Sequence, residues 1–330
     1  MPLDLVVSDL LAPAATTKLR LRWLEKWIAR ADCERVDTRG ASQWLASAFS
    51  LPSPAPIAAI SLAGDAARRE GAWLRADPVH LRIERDSVIL HHPSILEVTA
   101  AESEALVAAL QDFFRGDGLE FLAPVPGRWY VRTPEGELPE TIPLEEAMLR
   151  NVFGLLPRGG RAINWGSVLT EAQMLLAGHK VNAGRERAGK PAINSVWFWG
   201  EGALPPRIDR PYDGIYADEP FARGLACLSD IPALPPLAGF AALLLQPRAR
   251  NALVVIDALG AALGSGDLAR WSDAAQTLDA QWFAHLGEAA ARFGALRLVL
   301  PSDKDTLVAR LRPTSRWRWF RSARPLATHA

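Results

Sequence analysis

Residues 179–202 have the sequence HKVNAGRERAGKPAINSVWFWGEG, which joins a polar, basic first half to an apolar second half. In the first half, Asn182 and Arg185 carry the amide and guanidinium donors that hold anions such as phosphate. In the second half, the β-branched and aromatic run 195–199 predicts a short strand. The Gly200-Glu201-Gly202 triplet then predicts a sharp turn or the close approach of another backbone. Because loops that follow strands often bind ligands, we expect an anion site in this stretch.

The same stretch predicts which side chains a ligand would contact. If a small phosphorylated or carboxylate ligand binds, we expect Asn182, Arg185, Asn194 and the Gly200-Glu201-Gly202 turn to line its site, with Lys304 nearby. The alternative is that Arg185 and Asn194 only cap or brace the loop.

Two apolar runs in the last third of the chain predict buried strands at 251–256 and 296–300. A helical pattern at 271–292 lies between them, and a strand–helix–strand unit implies parallel pairing. Asp257 closes the first strand and Asp303 follows the second, so both carboxylates fall at carboxyl ends of strands, where α/β sheets bind ligands. The alternative role for either aspartate is a helix cap or a loop hydrogen bond. These patterns predict a three-layer α/β fold with a mostly parallel sheet flanked by helices.

The remaining patterns predict one α/β domain over 1–330 that carries an inserted unit rich in β-hairpins. The insertion spans 76–133, where paired strands flank a helix that begins after Thr99. The proline-rich segment 203–237 predicts an irregular crossing over the surface. The alternative organisation is two independent domains that divide near residue 160.

Shorter patterns predict individual elements. Apolar runs predict buried strands at 3–7 and 55–62, and helical spacing predicts helices at 17–31, 144–156 and 167–176.

Composition excludes several classes of protein. The 330 residues include 37 basic and 37 acidic side chains, so net charge does not favour a general polyanion-binding role. Cys33 and Cys227 are far apart in the sequence, which suits two buried thiols in a reducing compartment. The first fifteen residues lack a basic start, and prolines interrupt the longest apolar run, 231–245. We therefore expect a cytoplasmic protein with no membrane span.

One motif in this chain resembles a known family. The series His179, Asn182, Arg185, Gly189, Pro191, Ala192, Asn194, followed by an apolar strand closed by Gly-x-Gly, resembles a signature of the archaeal-type cofactor-independent phosphoglycerate mutases of the alkaline phosphatase superfamily. The segments 76–81 and 197–202 also resemble the bacterial regulatory proteins of RpfE type, which are often labelled phosphoglycerate mutase-like.

The resemblance implies an alkaline phosphatase-like fold and, in active members, a two-metal phosphoryl transfer through a nucleophilic serine. It implies a histidine four residues after the first strand-end aspartate and another directly after the second, where this chain has Ala261 and Lys304. Asp9 is the candidate for the opening metal aspartate, and Ser42 and Ser50 are the nearby hydroxyls. Lys304 would place a positive charge where relatives hold a cation.

These differences predict a catalytically degenerate protein with a regulatory, ligand-binding or protein-binding role and no cofactor. The alternative is an active phosphoglycerate mutase or phosphatase that uses manganese or zinc. A further candidate metal site is the group Asp77, His80, His91 and His92 near one hairpin, for which the alternative is a structural Asp77 in the turn before Pro78.

The C-terminal segment 310–324 interleaves arginines with Trp317, Trp319 and Phe320, and no acidic residue follows Asp305. Such a strip can stack on bases and pair with phosphates, so nucleic-acid binding is a second alternative function. The favoured interpretation is a half-buried strand at 316–319 with its arginines in solvent.

Overall fold

The computed structural model describes residues 3–11, 19–67, 70–91, 93–134, 137–148, 150–160, 163–246 and 251–329. The chain divides into two compact units. The first unit consists of Met1–Leu51 and Ile208–Ala330, and the second unit is Pro52–Arg207. The predicted insertion at 76–133 lies inside the second unit.

The elements of the described residues are as follows. The strands are β1 (Leu3–Val7), β2 (Asp32–Val36), β3 (Ala72–Ile83), β4 (Val88–His91), β5 (Glu120–Val125), β6 (Arg128–Thr133), β7 (Ser195–Ala203), β8 (Gly214–Tyr216), β9 (Ala233–Leu234), β10 (Ala252–Ile256), β11 (Leu296–Pro301) and β12 (Thr306–Leu311). The α-helices are α1 (Arg22–Arg30), α2 (Gly40–Ala48), α3 (Ile57–Ala66), α4 (Ala100–Phe114), α5 (Leu144–Ala147), α6 (Trp165–Ala177), α7 (Lys180–Arg187), α8 (Pro220–Leu228), α9 (Phe240–Leu244), α10 (Gly260–Gly264), α11 (Leu268–Gln281) and α12 (Leu286–Phe293).

The first unit is built on a mixed sheet in the order β2-β12-β11-β1-β10-β8-β9. β1 is its centre, with β10 and β11 parallel to it on either side. β8 and β9 extend the parallel part, while β12 and β2 pair antiparallel at the other edge. The predicted strands at 3–7, 251–256 and 296–300 are confirmed, and they align because each is an almost continuous apolar run, as buried parallel strands require.

The core of the first unit lies between this sheet and its helices. Leu5, Val7, Leu298 and Leu300 of the central strands are buried in one cluster with side chains of α1, α11 and α12. The predicted helix at 271–292 is in fact two helices, α11 and α12, which a short 3₁₀ turn at Phe283–His285 joins.

The second unit is built on an antiparallel sheet in the order β4-β3-β6-β5, with β7 paired to β3. The predicted hairpins of this region are confirmed by the β3–β4 and β5–β6 pairs. The helix predicted after Thr99 is α4, whose N-terminus has a capping box: the Glu102 amide donates to the Thr99 hydroxyl and the Glu102 carboxylate accepts from the Thr99 amide. Side chains of α4 and α6 pack on this sheet in a second core.

Several predicted elements are wrong. The apolar run 55–62 belongs to helix α3 and not to a strand, because an apolar run buried on all sides has no periodicity that separates the two structures. The predicted helix at 144–156 forms only α5 and a 3₁₀ turn at Val152–Gly154. The segment 203–237, predicted to be irregular, contains α8 and the short strands β8 and β9. Pro220 starts α8, where a missing amide costs nothing.

Two predictions about exposure are also wrong. Cys33 and Cys227 are both exposed, and Cys33 lies on β2, an edge strand of the first sheet. The segment 316–319 is not a strand, since Pro313–Trp317 is a 3₁₀ helix followed by a turn. No helix of the described ranges is long and apolar enough to cross a membrane.

Candidate functional site

Three carboxylates follow the carboxyl ends of three adjacent strands in the first unit. Asp9 comes two residues after β1, Asp257 comes directly after β10, and Asp303 comes two residues after β11. Since β1 lies between β10 and β11, the sheet brings these loops to one edge, as the sequence predicted for Asp257 and Asp303.

Asp9 is the most constrained member of this edge. Its backbone is left-handed, with φ of 60°, and its carbonyl accepts a 3.0 Å hydrogen bond from the Trp271 indole. Its carboxylate lies so close to Gly260 that a Cβ there would come within 2.8 Å of Oδ2. Burial, followed by repulsion from Asp257, raises the pKa of Asp9 from 3.8 to about 6.

Asp303 and Lys304 lie in an exposed turn after β11. The Ser302 hydroxyl organises this turn: it accepts from the backbone amides of Lys304 (3.2 Å) and Asp305 (3.3 Å). Asp257 is exposed at its own strand end. The Lys304 ammonium is therefore a solvated positive charge on the loop that follows β11.

The donor set of this edge does not fit the two-metal centre that the resemblance implies. Such centres combine several carboxylates with imidazoles. The six histidines of the chain are at 80, 91, 92, 179, 285 and 329, so none follows Asp257 or Asp303 in the way the resemblance requires. Among the residues that the structure describes, no group of three or more His, Cys, Asp or Glu side chains is placed to hold a metal ion.

In the second unit, the basic half of the 179–202 stretch is helix α7, which His179 caps by accepting from the Val181 amide. Asn182 is buried and makes three hydrogen bonds to backbone. Its amide donates to the carbonyls of Leu176 (2.7 Å) and Ile193 (2.8 Å), and its carbonyl accepts from the Ile193 amide (2.8 Å). Asn182 thus ties the start of α7 to the segment that leads into β7.

Arg185 is also buried, with only 2% of its surface exposed. Its guanidinium donates to the carbonyls of Pro191 (2.7 Å) and Leu96, and it forms an ion pair with Glu102 (2.9 Å). These contacts join α7 to the capping box of α4. They support the bracing alternative for Arg185.

The side-chain amide of Asn194 pairs with the backbone of β3, as the backbone of a neighbouring strand would. Its carbonyl accepts from the Leu81 amide and its amide donates to the Leu81 carbonyl, each over 2.8 Å. One network of side-chain hydrogen bonds therefore holds the segment 188–194 in place, and it is made by Asn182, Arg185 and Asn194. A ligand contact by these three residues remains a prediction.

Gly200-Glu201-Gly202 lies within β7, so the first predicted alternative, a sharp turn, is wrong, whereas the second, close approach of another backbone, holds for Gly202 beside Pro56. Between the pairs Trp73–Gly202 and Arg75–Trp199, β7 spans three residue steps and β3 spans two, so β7 has a β-bulge there. Gly200 has φ of 69°, and a Cβ on Gly202 would lie 2.5 Å from Cβ of Pro56, so the glycines serve the bulge and the packing of α3. The Glu201 carboxylate accepts from the hydroxyl and amide of Thr141.

The second unit contains a buried ionic network that the sequence did not indicate. The Arg75 guanidinium lies between the rings of Tyr130 (5.2 Å) and Trp199 (5.3 Å) and donates to Asp77. Asp77 also accepts from the Trp199 indole (2.8 Å), and Tyr130 donates to Asp65 (2.7 Å). The detectable signal was the pair of opposite charges two residues apart in an apolar strand, since they share one face.

Asp77 therefore sits in mid-strand and not in a turn before Pro78, which corrects that interpretation. His80 and His91 are a cross-strand pair with ring centroids 5.8 Å apart, and the His80 ring contacts the Ala192 carbonyl. Since the Asp77 oxygens are used by Arg75 and Trp199, the structure does not bring Asp77 to the histidines as a ligand. His92 lies outside the described residues.

The first unit also contains a cavity of about 360 Å³ that the sequence did not indicate. Trp44, Tyr212, Asn251 and Arg297 are among its lining residues. Beside it, Arg297 and the Tyr212 hydroxyl both donate to the fully buried Asp4. Asp4 pairs with Arg297 at the amino end of β1, whereas the strand-end carboxylates follow the carboxyl ends of the same sheet.

No protein-family model matches the chain. The chain is 25% identical over 151 residues to the probable 2,3-bisphosphoglycerate-independent phosphoglycerate mutase of Geobacter sulfurreducens, which covers 46% of this chain and 38% of that protein. It is also 25% identical over 140 residues to the 2,3-bisphosphoglycerate-independent phosphoglycerate mutase of Methanosarcina mazei. That match covers 41% of this chain and 35% of the relative. The chain therefore matches little more than a third of the length of either relative.

Among solved structures, the PH0037 protein from Pyrococcus horikoshii matches with a TM-score of 0.55 at 13% identity, over 99% of this chain and 92% of that chain. The cofactor-independent phosphoglycerate mutase from Thermoplasma acidophilum matches with a TM-score of 0.44 at 15% identity, over 94% and 90% of the two chains. The first likeness supports the α/β fold alone. The chain is thus weakly homologous to the cofactor-independent phosphoglycerate mutases and has an α/β fold with mixed sheets and helices.

Proposed function

We propose that this protein is a catalytically degenerate relative of the cofactor-independent phosphoglycerate mutases that binds a small anion without transferring phosphate. We place the anion at the carboxyl edge of the parallel strands in the first unit, beside Lys304. A three-layer arrangement of the alkaline phosphatase type belongs to the same proposal.

The proposal is supported by the position of Lys304, which is exposed and directly follows Asp303 on the loop after β11. An exposed ammonium on this loop places a positive charge where a metal ion would otherwise supply one. An ammonium attracts phosphate or carboxylate oxygens, but it cannot lower the pKa of a bound water or generate a nucleophile as a metal ion does. Binding without turnover follows from this chemistry.

Asp9 and Asp257 limit which anions this edge accepts. Two neighbouring carboxylates repel an anion when both are ionised, and the pKa of Asp9, raised to about 6, makes its charge depend on pH. We therefore expect anion binding to strengthen as pH falls from 8 towards 5. The protonated Asp9 carboxyl would then be a hydrogen-bond donor.

The test is a titration of the full chain with 3-phosphoglycerate and with inorganic phosphate, in buffer that contains a metal chelator. We expect binding to persist in the chelator and to weaken about tenfold in Lys304→Gln, which is about 1.4 kcal/mol for one charge-assisted contact. The matched control is Arg270→Gln, which removes another exposed cation of the first unit and should leave affinity unchanged. Binding that requires manganese or zinc, or equal affinities for the two variants, would contradict the proposal.

A further inference from the structure

The segment 312–324, called here the C-terminal strip, exposes large aromatic side chains. Trp317, Trp319 and Phe320 are 64%, 72% and 70% exposed. Three such rings within four residues form an apolar concentration that a monomeric surface seldom carries without a partner.

The backbone of the strip is fixed to the first unit. Arg318 forms an ion pair with Asp32 and donates to the Arg30 carbonyl (3.2 Å), while Arg321 donates to the Ala31 carbonyl (3.2 Å). Buried Ser315 holds one end, and buried Leu326 holds the other, with its amide bonded to Glu25 (3.1 Å). The rings are thus presented on an ordered support, so little ordering is required when a partner binds.

The strip is strongly basic, and all its cations are arginines. Arg318 is paired with Asp32. Four others are exposed and form no ion pair with an acidic residue of the described ranges: Arg312, Arg316, Arg321 and Arg324. The Arg316 guanidinium lies 4.9 Å from the centroid of the Trp317 ring.

The strip contacts the C-terminal end of α1, since Arg318 and Arg321 donate to the carbonyls of Arg30 and Ala31. On this helix, the Lys26 ammonium lies 4.5 Å from the ring centroid of half-buried Trp23. Trp27 is buried in the core of the first unit and is not part of the exposed surface.

The combination of exposed rings and exposed guanidinium groups indicates the chemistry of the partner. A single strand of nucleic acid offers one flat base and one phosphate per nucleotide, and the strip offers three exposed rings together with four exposed arginines that form no ion pair within the described ranges. Guanidinium groups bind phosphate with two donors and also stack on rings, which an ammonium does less well. A duplex hides its base faces, and a lipid surface would accept the rings but has no repeat for the arginines to match.

We propose that the C-terminal strip is a binding surface for single-stranded nucleic acid, with bases stacked on Trp319, Trp317 and Phe320 and phosphates held by Arg312, Arg316, Arg321 and Arg324. This activity is separate from the anion site beside Lys304, since it uses none of its residues.

The experiment measures fluorescence anisotropy of a labelled oligothymidylate of about 16 nucleotides titrated with the full chain. We expect the logarithm of affinity to fall with the logarithm of salt concentration with a slope of about −3, from about 0.7 for each of four phosphates. Trp319→Ala should weaken binding about tenfold through the loss of one stacked base. Arg316→Gln should reduce the slope by about 0.7.

Two control variants remove equivalent groups elsewhere: Phe153→Ala, whose ring is 64% exposed, and Arg187→Gln, which is exposed on α7. Both should bind like the unmodified chain. Circular dichroism of each variant verifies the fold, and because the strip side chains are exposed, folding should not change.

Three outcomes would overturn the proposal. The first is no binding at about 50 mM salt, where phosphate contacts are strongest. The second is equal loss of affinity in the control variants. The third is tighter binding to vesicles of phosphatidylserine and phosphatidylcholine than to the oligonucleotide, with the vesicle affinity lost in Trp319→Ala, which would assign the strip to membranes.

Discussion

Replacement of Arg185 by alanine separates a structural brace from a ligand contact. The change removes the donors for the carbonyls of Pro191 and Leu96 and the ion-pair partner of Glu102. A buried group left without its partner costs about 1 to 3 kcal/mol, and breaking a buried ion pair costs about 3 to 5 kcal/mol. Glu102 keeps its contacts with Thr99 and is partly exposed, so we expect Arg185→Ala to lower the free energy of unfolding by about 3 to 5 kcal/mol in total.

The assay is urea unfolding followed by circular dichroism, with Arg187→Ala as the matched control. Arg187 lies two residues away on the same helix and is exposed, and among the residues that the structure describes its side chain donates only to the Ala183 carbonyl. We expect its replacement to cost less than about 0.5 kcal/mol. Equal unfolding midpoints for the two variants would refute the bracing role of Arg185.

The same contacts predict an acid dependence. Burial of Glu102 favours its protonated form, but hydrogen bonds from Thr99 and Arg185 outweigh this and lower the pKa of the carboxyl. A lowered folded-state pKa gives stability that is present above the unfolded value, near 4.5, and is lost as pH falls through the folded value. Arg185→Ala removes the ion pair, so the free energy of unfolding of this variant should fall less between the two pKa values of Glu102 than that of the unmodified chain.

Three further changes have distinct expected outcomes. Asp9→Asn should raise the free energy of unfolding by up to about 3 kcal/mol at pH 8, because a pKa raised to about 6 means that the ionised Asp9 destabilises the folded state. Calorimetry should find that the difference between the variant and the unmodified chain disappears as pH falls below 4. Gly202→Ala should cost about 2 to 4 kcal/mol in urea unfolding, since its Cβ would lie 2.5 Å from that of Pro56, whereas Gly184→Ala in α7 should be neutral or stabilising. Asp77→Asn should cost about 3 to 5 kcal/mol and shift Trp199 fluorescence, because it leaves buried Arg75 without a counter-charge; an unchanged melting temperature would contradict this.

The sequence predicted those elements that neighbouring residues mark by themselves, through an apolar run or a capping motif. The strands around Val6, Val254 and Leu298 are almost continuous apolar runs, and Thr99 with Glu102 marks the start of α4. The run 55–62 failed because its burial on every side, as part of α3, removes the period that distinguishes helix from strand.

The strand-end positions of Asp257 and Asp303 could be predicted, because parallel strands align their carboxyl ends. The hydrogen-bond partners of Asn182 and Arg185 could not, since both side chains bond to carbonyls that only folding brings near them. A buried arginine and a ligand-binding arginine look the same in sequence.

The C-terminal strip shows a third limit. Alternation at 316–319 suggested a strand, but the buried contacts of Ser315 and Leu326 fix the chain as a 3₁₀ helix and turn that leaves the rings in solvent. Long-range contacts, such as that of Leu326 with Glu25, carry no local signal.

If this chain binds an anion at the strand-end carboxylates and Lys304 without transferring phosphate, it should lack mutase activity whether or not metal is supplied. A coupled phosphoglycerate mutase assay of the full chain after incubation with manganese and with zinc tests this, combined with metal analysis of the recovered protein. We predict no turnover above the protein-free background and less than one equivalent of metal retained. Steady turnover that rises with stoichiometric manganese or zinc, and is lost in Asp257→Asn, would contradict the claim.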